Sequence, residues 1–280
     1  MEKIITALDG LRLSRSAIEY TVFVAQYCKA HVVGVFLDDL LYHSYSFSEL
    51  MATSGGFSNK KMQQLDDRDK ATRDESVQAF EQMCQQASLE YSVHRNKNVA
   101  LQELLHETIY ADLLIIDSKE TFTPFEKEPP TEFLRDLLTD VQCPVLVVPQ
   151  AYRPVEKLVL LYDGEPSSVY AVKMFSYLLP DLKYMETEVL TIKDEDETLH
   201  VPDNRLMKEF MKRHFGNADY NVLNGDAEEQ IINYLNRFHE DVLVVLGAYR
   251  RSRVSRWFKP SMADHLLKHL KLPLFIAHNN

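Results

Sequence analysis

The sequence predicts an α/β protein of two related domains, each a doubly wound five-stranded parallel sheet with helices on both faces. Three observations carry that prediction. The chain repeats itself: EKIITALDGLRLSRSAIEYT from Glu2 and EKLVLLYDGEPSSVYAVKMF from Glu156 both run from an apolar stretch into Asp-Gly, then serines, then an amphipathic stretch. Further on, DLLIIDS from Asp112 matches DVLVVLGA from Asp241, and VQCPVLVVP from Val141 matches LKLPLFIAH from Leu270. Between these landmarks short apolar runs alternate strictly with helical periodicities, the pattern that right-handed βαβ crossovers produce. A repeat of roughly 130 to 150 residues is domain-sized rather than solenoid-sized. It places one domain at 1–150 and the other at 155–280, with the polar, proline-ended stretch Gln150 to Pro154 between them.

In the first copy Lys3 to Leu8 is a continuous apolar strand of the kind buried on both faces of a parallel sheet. Ser14 caps a helix running to about Lys29, with Ala17, Tyr20, Val24 and Tyr27 at helical spacing. His31 to Leu37 is the second strand, followed by a segment from Asp38 to Gly56 that carries Tyr42, Tyr45, Phe47 and Met51. A charged helix spans Lys60 to Ala87. Strand Tyr91 to Arg95, helix Ala100 to Ile109, strand Leu113 to Asp117, a polar Pro-rich loop, helix Thr131 to Thr139 and strand Pro144 to Val148 complete the copy. The second copy repeats the order: strand 157–162, helix 167–179, strand 186–192, helix 203–214, strand 219–223, helix 226–238, strand 241–246, loop, helix 261–270, strand 273–277. Asp9 and Asp163 are offset by 154 positions, Pro144 and Pro273 by 129, so the first copy holds about 25 extra residues after its second strand. An insertion beside the carboxyl end of a strand serves as a lid or an interface element.

Composition narrows the function classes. Hydrophobic residues make up 45% of the 280, enough for packed cores, and no apolar run reaches the ~20 residues that span a bilayer. The N-terminus enters a strand directly, with no basic region or cleavage motif, which predicts a cytoplasmic protein. Cys28, Cys84 and Cys143 are odd in number and widely spaced, and read as small buried hydrophobes in a reducing compartment. A net charge of −11 argues against nucleic acid or an anionic membrane as partner. The charge is unequal, −9 before residue 150 and −2 after it, so an anionic ligand suits the second copy better.

In open α/β sheets ligands bind outside the carboxyl ends of the strands, where strand order reverses. Asp9 and Asp163 stand at such ends, able to accept from a sugar hydroxyl or to form a tight Asp-Gly turn. The loop Gly247 to Met262, GAYRRSRVSRWFKPSM, joins a strand to a helix beginning near Pro260-Ser261, and a helix N-terminus favours phosphate. Arg250, Arg251, Arg253, Arg256 and Lys259 concentrate positive charge there, or form a solvated basic face. His265 and His269 share a helix face without the acidic residue of a zinc hydrolase motif, and Ser54-Gly55-Gly56 lacks a phosphate-gripping lysine. No nucleophile elbow or Cys/His pairing occurs.

The paired opening strands ending at Asp9 and Asp163, the tails TEFLRDLLTDVQCPVLVVP and PSMADHLLKHLKLPLFIAH, and Gly247-Ala248-Tyr249 before a basic stretch and Ser261 resemble the universal stress protein family in its tandem form, across nearly the whole chain. The resemblance implies Rossmann-like domains of the adenine nucleotide alpha hydrolase type. In nucleotide-binding members the loop reads Gly, two residues, Gly, nine residues, Gly, then Ser or Thr. Here Gly247 matches the first glycine and Ser261 the hydroxyl, while Arg250 and Pro260 replace the other glycines and obstruct a backbone cradle. In the first copy Asp117 replaces the first glycine, Pro129-Pro130 end the loop, and Glu120, Glu126 and Glu128 line it, which repels a triphosphate.

The resulting expectation is a non-catalytic stress-response regulatory or interaction protein without tight ATP binding in its first half, acting on a protein partner. Its domains pair through their last strands as an intramolecular copy of a dimer, with a further homodimer left open. The alternative is a sensor of ATP, AMP or phosphate, its second-half site built from Asp163, Gly247, Arg250 and Ser261. No metal and no catalytic residue is expected.

Overall fold

The computed structural model describes residues 1–38, 43–44, 59–194, 200–238, 241–247 and 262–278. Most of the Asp38 to Gly56 insertion lies outside them, as do Arg250 and Ser261. Five strands come from the first half: β1 (Lys3–Leu8), β2 (His31–Leu37), β3 (Tyr91–Asn96), β4 (Leu113–Asp117) and β5 (Val145–Val148). Five come from the second: β6 (Lys157–Leu161), β7 (Glu186–Lys193), β8 (Ala218–Asn224), β9 (Val242–Gly247) and β10 (Leu274–Ala277). The helices are α1 (Arg15–Cys28), α2 (Asn59–Gln86), α3 (Ala100–Thr108), α4 (Glu132–Asp140), α5 (Pro166–Leu178), α6 (Asn204–His214), α7 (Ala227–Leu235) and α8 (Met262–His269).

The sequence predicts one sheet per domain, whereas the described residues form a single ten-stranded sheet. Its order is β3-β2-β1-β4-β5-β10-β9-β6-β7-β8, which reads as the same topology from either edge. Pairing is parallel within each half, and β5 and β10 meet antiparallel, with Leu146 opposite Phe275. These two apolar four-residue strands would otherwise be bare edges, and pairing satisfies their backbone groups. The last strands of the two halves thus lie side by side, as expected.

Strand residues alternate between two cores, one on each face. Ile4, Leu8, Val32, Phe36 and Phe275 pack beneath α1, α2, α5 and α6. Ile5, Ala7, Val145 and Ile276 pack beneath α3, α4, α7 and α8. Burial on both faces is what continuous Val/Ile/Leu runs require. Ser14 caps α1 by accepting from the Ala17 amide, as its position predicts.

Element ends differ from the sequence-based expectation by a residue or two, except for α7. That helix stops at Leu235 rather than 238, because the Arg237 and Phe238 amides bond back three residues to Tyr234 and Leu235 in a tightened turn. A 3₁₀ turn at Leu182–Tyr184 was not anticipated. Cys84 and Cys143 are buried, Cys28 is half-buried, and all three are free thiols. Among the described residues no helix is long and apolar enough to cross a membrane.

Candidate functional site

Strand order reverses between β1 and β4 in the first half, and between β6 and β9 in the second. The carboxyl ends of those pairs are Asp9 with Asp117 and Asp163 with Gly247, so the sequence-predicted positions do converge on the two switch points. Their surroundings differ sharply.

In the first half Asp9 is fully buried and Asp117 nearly so. Asp9 accepts from the Leu11 amide at 2.8 Å and from Arg12 Nε at 3.4 Å. Arg12 reaches on across the crevice and donates through Nη2 to Thr121 Oγ1 at 3.0 Å and the Thr123 carbonyl at 2.7 Å. Asp117 accepts from Ser14 Oγ at 2.7 Å and from the Lys119 amide at 2.8 Å. Ser14 therefore caps α1 and ties it to β4 at once. Ser14→Ala is expected to cost about 1–2 kcal/mol in urea unfolding; an unchanged midpoint would remove both roles.

Glu120 lines this crevice, as the sequence places it, but is only 6% exposed. Burial, then the neighbouring Asp9 carboxylate, push its carboxyl up to about 8, which favours its uncharged form. The opening, about 440 Å³, is bounded by Arg12, Ser14, Arg15, Asp117, Lys119, Glu120 and Glu126.

The other side of this crevice, over the ends of β1 and β2, is filled by α2. Ser76 Oγ donates to the Gly10 carbonyl at 2.7 Å. Arg73 pairs with the buried Asp38 at the end of β2, and Arg95 Nη2 stands 3.7 Å from the same carboxylate. Sequence reasoning missed Arg73 and Ser76. A hydrophilic 28-residue helix gives no local sign of which polar residues turn inward.

In the second half Asp163 is exposed, and its Oδ1 accepts from the Glu165 amide at 2.9 Å and Ser168 Oγ at 2.7 Å. This is the Asp-Gly turn, with Gly164 at φ +90 supplying the left-handed conformation. Residues 201–203 fold over that turn: Val201 is buried, and Tyr162 Oη donates to the Pro202 carbonyl at 3.2 Å. Gly247 lies against the first turn of α5, where an added Cβ would fall 2.4 Å from the Ser167 carbonyl. Asp163 and Gly247 thus flank the same helix start, while Arg250 and Ser261 lie outside the described residues. A cavity of about 430 Å³ opens between α5 and α6, lined by Tyr162, Gly164, Tyr170, Asp203, Met207 and Phe210.

Among the described residues no cluster of His, Cys, Asp and Glu has metal-binding geometry. His265 and His269 contact each other ring to ring at 4.7 Å, and His265 Nδ1 is 3.4 Å from Glu228.

No family model matches this sequence, and no curated protein does. Solved structures do. A universal stress protein from Archaeoglobus fulgidus superposes with a TM-score of 0.69 at 13% identity, covering 99% of this chain and 98% of its own. A functionally unknown protein from Pseudomonas aeruginosa matches at 0.60 and 13% identity, covering 99% of this chain and 92% of its own. The chain has the tandem universal stress protein fold.

Proposed function

We propose that the chain is a non-catalytic regulatory or interaction protein of the stress-response type, built from domains at 1–150 and 155–280, whose first domain does not bind ATP tightly. One observation carries this reading: the chain's own groups narrow the first crevice to an opening edged by Asp117, Glu120 and Glu126. Arg12 spans it between Asp9 and Thr121, and Arg73 and Ser76 fill the side above β1 and β2. Asp117, which lines the opening, would also face a phosphate at short range, where like charges repel.

The absence of a catalytic role is supported by the Ser176–His214 pair between α5 and α6. His214 Nδ1 is 2.6 Å from Ser176 Oγ, but that hydroxyl donates to the Lys173 carbonyl at 2.8 Å. Burial, with the charges of Lys173 and Lys183, lowers the His214 pKa and favours the neutral ring. The pair ties two helices together rather than activating a nucleophile.

Titration calorimetry with ATP, ADP, AMP and inorganic phosphate tests the proposal. At submillimolar ligand no more than one equivalent per chain is expected; two equivalents overturn it, as does steady ATP turnover above buffer background. The exposed Asp163, against a buried Asp9, favours a second reading in which the second domain is a nucleotide or phosphate sensor using Asp163, Gly247, Arg250 and Ser261. In that case one equivalent binds and Arg250→Glu abolishes it.

A further inference from the structure

We propose that the face formed by α1, α2, α5 and α6 binds the same face of a second copy of this chain. In that dimer α1–α2 of each copy lies against α5–α6 of the other, and Glu19 meets the partner's Lys173. The inference goes beyond the reading above and holds whether or not any nucleotide binds.

These four helices cover one side of the sheet. Exposed large apolar side chains gather on them: Tyr27 on α1, Met62 on α2, Tyr177 on α5 and Leu206 on α6, the last two 60% and 62% exposed. Among the described residues none lies within α3, α4, α7 or α8 on the other side. An apolar excess confined to one face marks a surface that meets another. Each helix pair also leaves an opening between its members. The one between α1 and α2, about 370 Å³, is lined by Val22, Phe23, Met83 and Tyr152 together with Glu19. The one between α5 and α6 is lined by Val169, Tyr170, Leu206 and Phe210 together with Lys173.

The charges name the occupant. The internal repeat sets Glu19 against Lys173, with the same offset of 154 that relates Asp9 to Asp163. Buried Ala17 and Ile18 match buried Ala171 and Val172, which fixes this register. One position on the outer side of the helix thus carries opposite charge in the two halves. Among the described residues Glu19 is the one charged group lining the first opening. Lys173 stands near His214, where Lys183 adds a second positive charge. Asp203, the acidic residue of the second opening, is at the far N-terminal end of α6. Among the described residues neither Glu19 nor Lys173 has an ion-pair partner. Two copies of the chain supply each with one, inside an apolar surround where unlike charges fix orientation.

Topology decides which arrangement brings them together. β5 and β10 are antiparallel neighbours, and α1 and α5 lie on the same side, so the twofold relating the halves stands perpendicular to the sheet. Two chains with aligned strands can then stack face to face about either of two axes in the plane between them. An axis across the strands sets α1 over α1, and brings Glu19 to Glu19 and Lys173 to Lys173. An axis along the strands sets α1 over α5 and forms both unlike pairs. Charge selects the second. The interface is then isologous, with each contact made twice and the assembly closed at two copies.

Sedimentation equilibrium of the full chain at low salt tests this. The wild type is expected to be a dimer at about 100 μM. Glu19→Lys and Lys173→Glu are each expected to weaken association about tenfold or more, because both pairs become like charges. An equimolar mixture of the two variants is expected to recover the dimer, since each chain then meets its complement. The double variant, Glu19→Lys with Lys173→Glu, is expected to match the wild type. A monomeric wild type overturns the proposal without any variant. Single variants that associate as the wild type does, or a double variant no better than either single one, also overturn it. Glu19 is exposed and Lys173 half-buried, and recovery in the mixture shows at the same time that both variants are folded. Should a single variant fail to fold, wild-type association that is unchanged between about 0.05 and 0.5 M salt overturns the pairing. Loss of this dimer leaves the reading of the first crevice standing, which nucleotide titration tests separately.

Discussion

Replacing Arg73 with methionine is expected to lower the unfolding free energy by about 3 kcal/mol, because it strands a buried carboxylate. Asp38 is 6% exposed and Arg73 9%, so neither can turn to water without moving α2. The remaining cation, Arg95, stands 3.7 Å away, more than a third exposed, and already bonds Asp74 at 2.6 Å. Methionine retains most of the aliphatic stem, whose Cβ and Cγ lie above Gly10, so the loss reports charge rather than packing. The double variant Arg73→Met with Asp38→Leu is expected to recover most of the stability, as apolar replacements of buried ion pairs commonly do. Urea unfolding of the four species closes the cycle. A single-variant loss under 1 kcal/mol, or a double variant no better than Arg73→Met, would show that the pair does not hold α2 on the sheet.

The pairing of Arg73 with Asp38 also marks where sequence reasoning stops. The strands were legible because a parallel sheet buried on both faces demands continuous apolar runs, and KIITAL, HVVGVFL and LVLL can do little else. Asp9 and Asp163 were legible as strand ends because Asp-Gly forces a turn. What happens to each aspartate afterwards was not. Asp9 is buried because Arg12 and Leu11 supply its bonds locally, whereas Asp163 stays exposed and bonds Ser168 at the start of α5. Arg73 and Ser76 reach the crevice from more than 60 residues after Gly10, a long-range contact for which polar residues carry no periodic mark. The burial of Glu120 was illegible for a related reason. An acidic loop rich in Pro and Thr looks solvated, and only the folded turn reveals two amides converging on one carboxyl oxygen.

Gly247→Ala carries the other large expected effect, a loss of about 3 kcal/mol, at the upper end of what overpacking costs. The added Cβ would sit 2.4 Å from both the carbonyl carbon and the oxygen of Ser167, and 2.8 Å from the Ser168 amide nitrogen. These are backbone atoms of the first turn of α5, so no rotamer change relieves the clash and the helix itself must shift. The helix is poorly placed to do so. Phe175, fully buried on α5, meets Phe275 of β10 edge to face at 5.1 Å, beside the seam where β10 pairs with β5. Lifting α5 therefore loosens the join between the halves. The first half provides the internal comparison: Asp117 occupies the matching position at the end of β4, and its carboxylate meets Ser14 at the start of α1. A side chain is accommodated there, so Asp117→Ala is expected to cost less than Gly247→Ala. Both are read as shifts in urea midpoint with unchanged slope. If Gly247→Ala proves neutral, α5 does not rest on β9 as described, and Gly247 must then be explained by what approaches it from outside the chain.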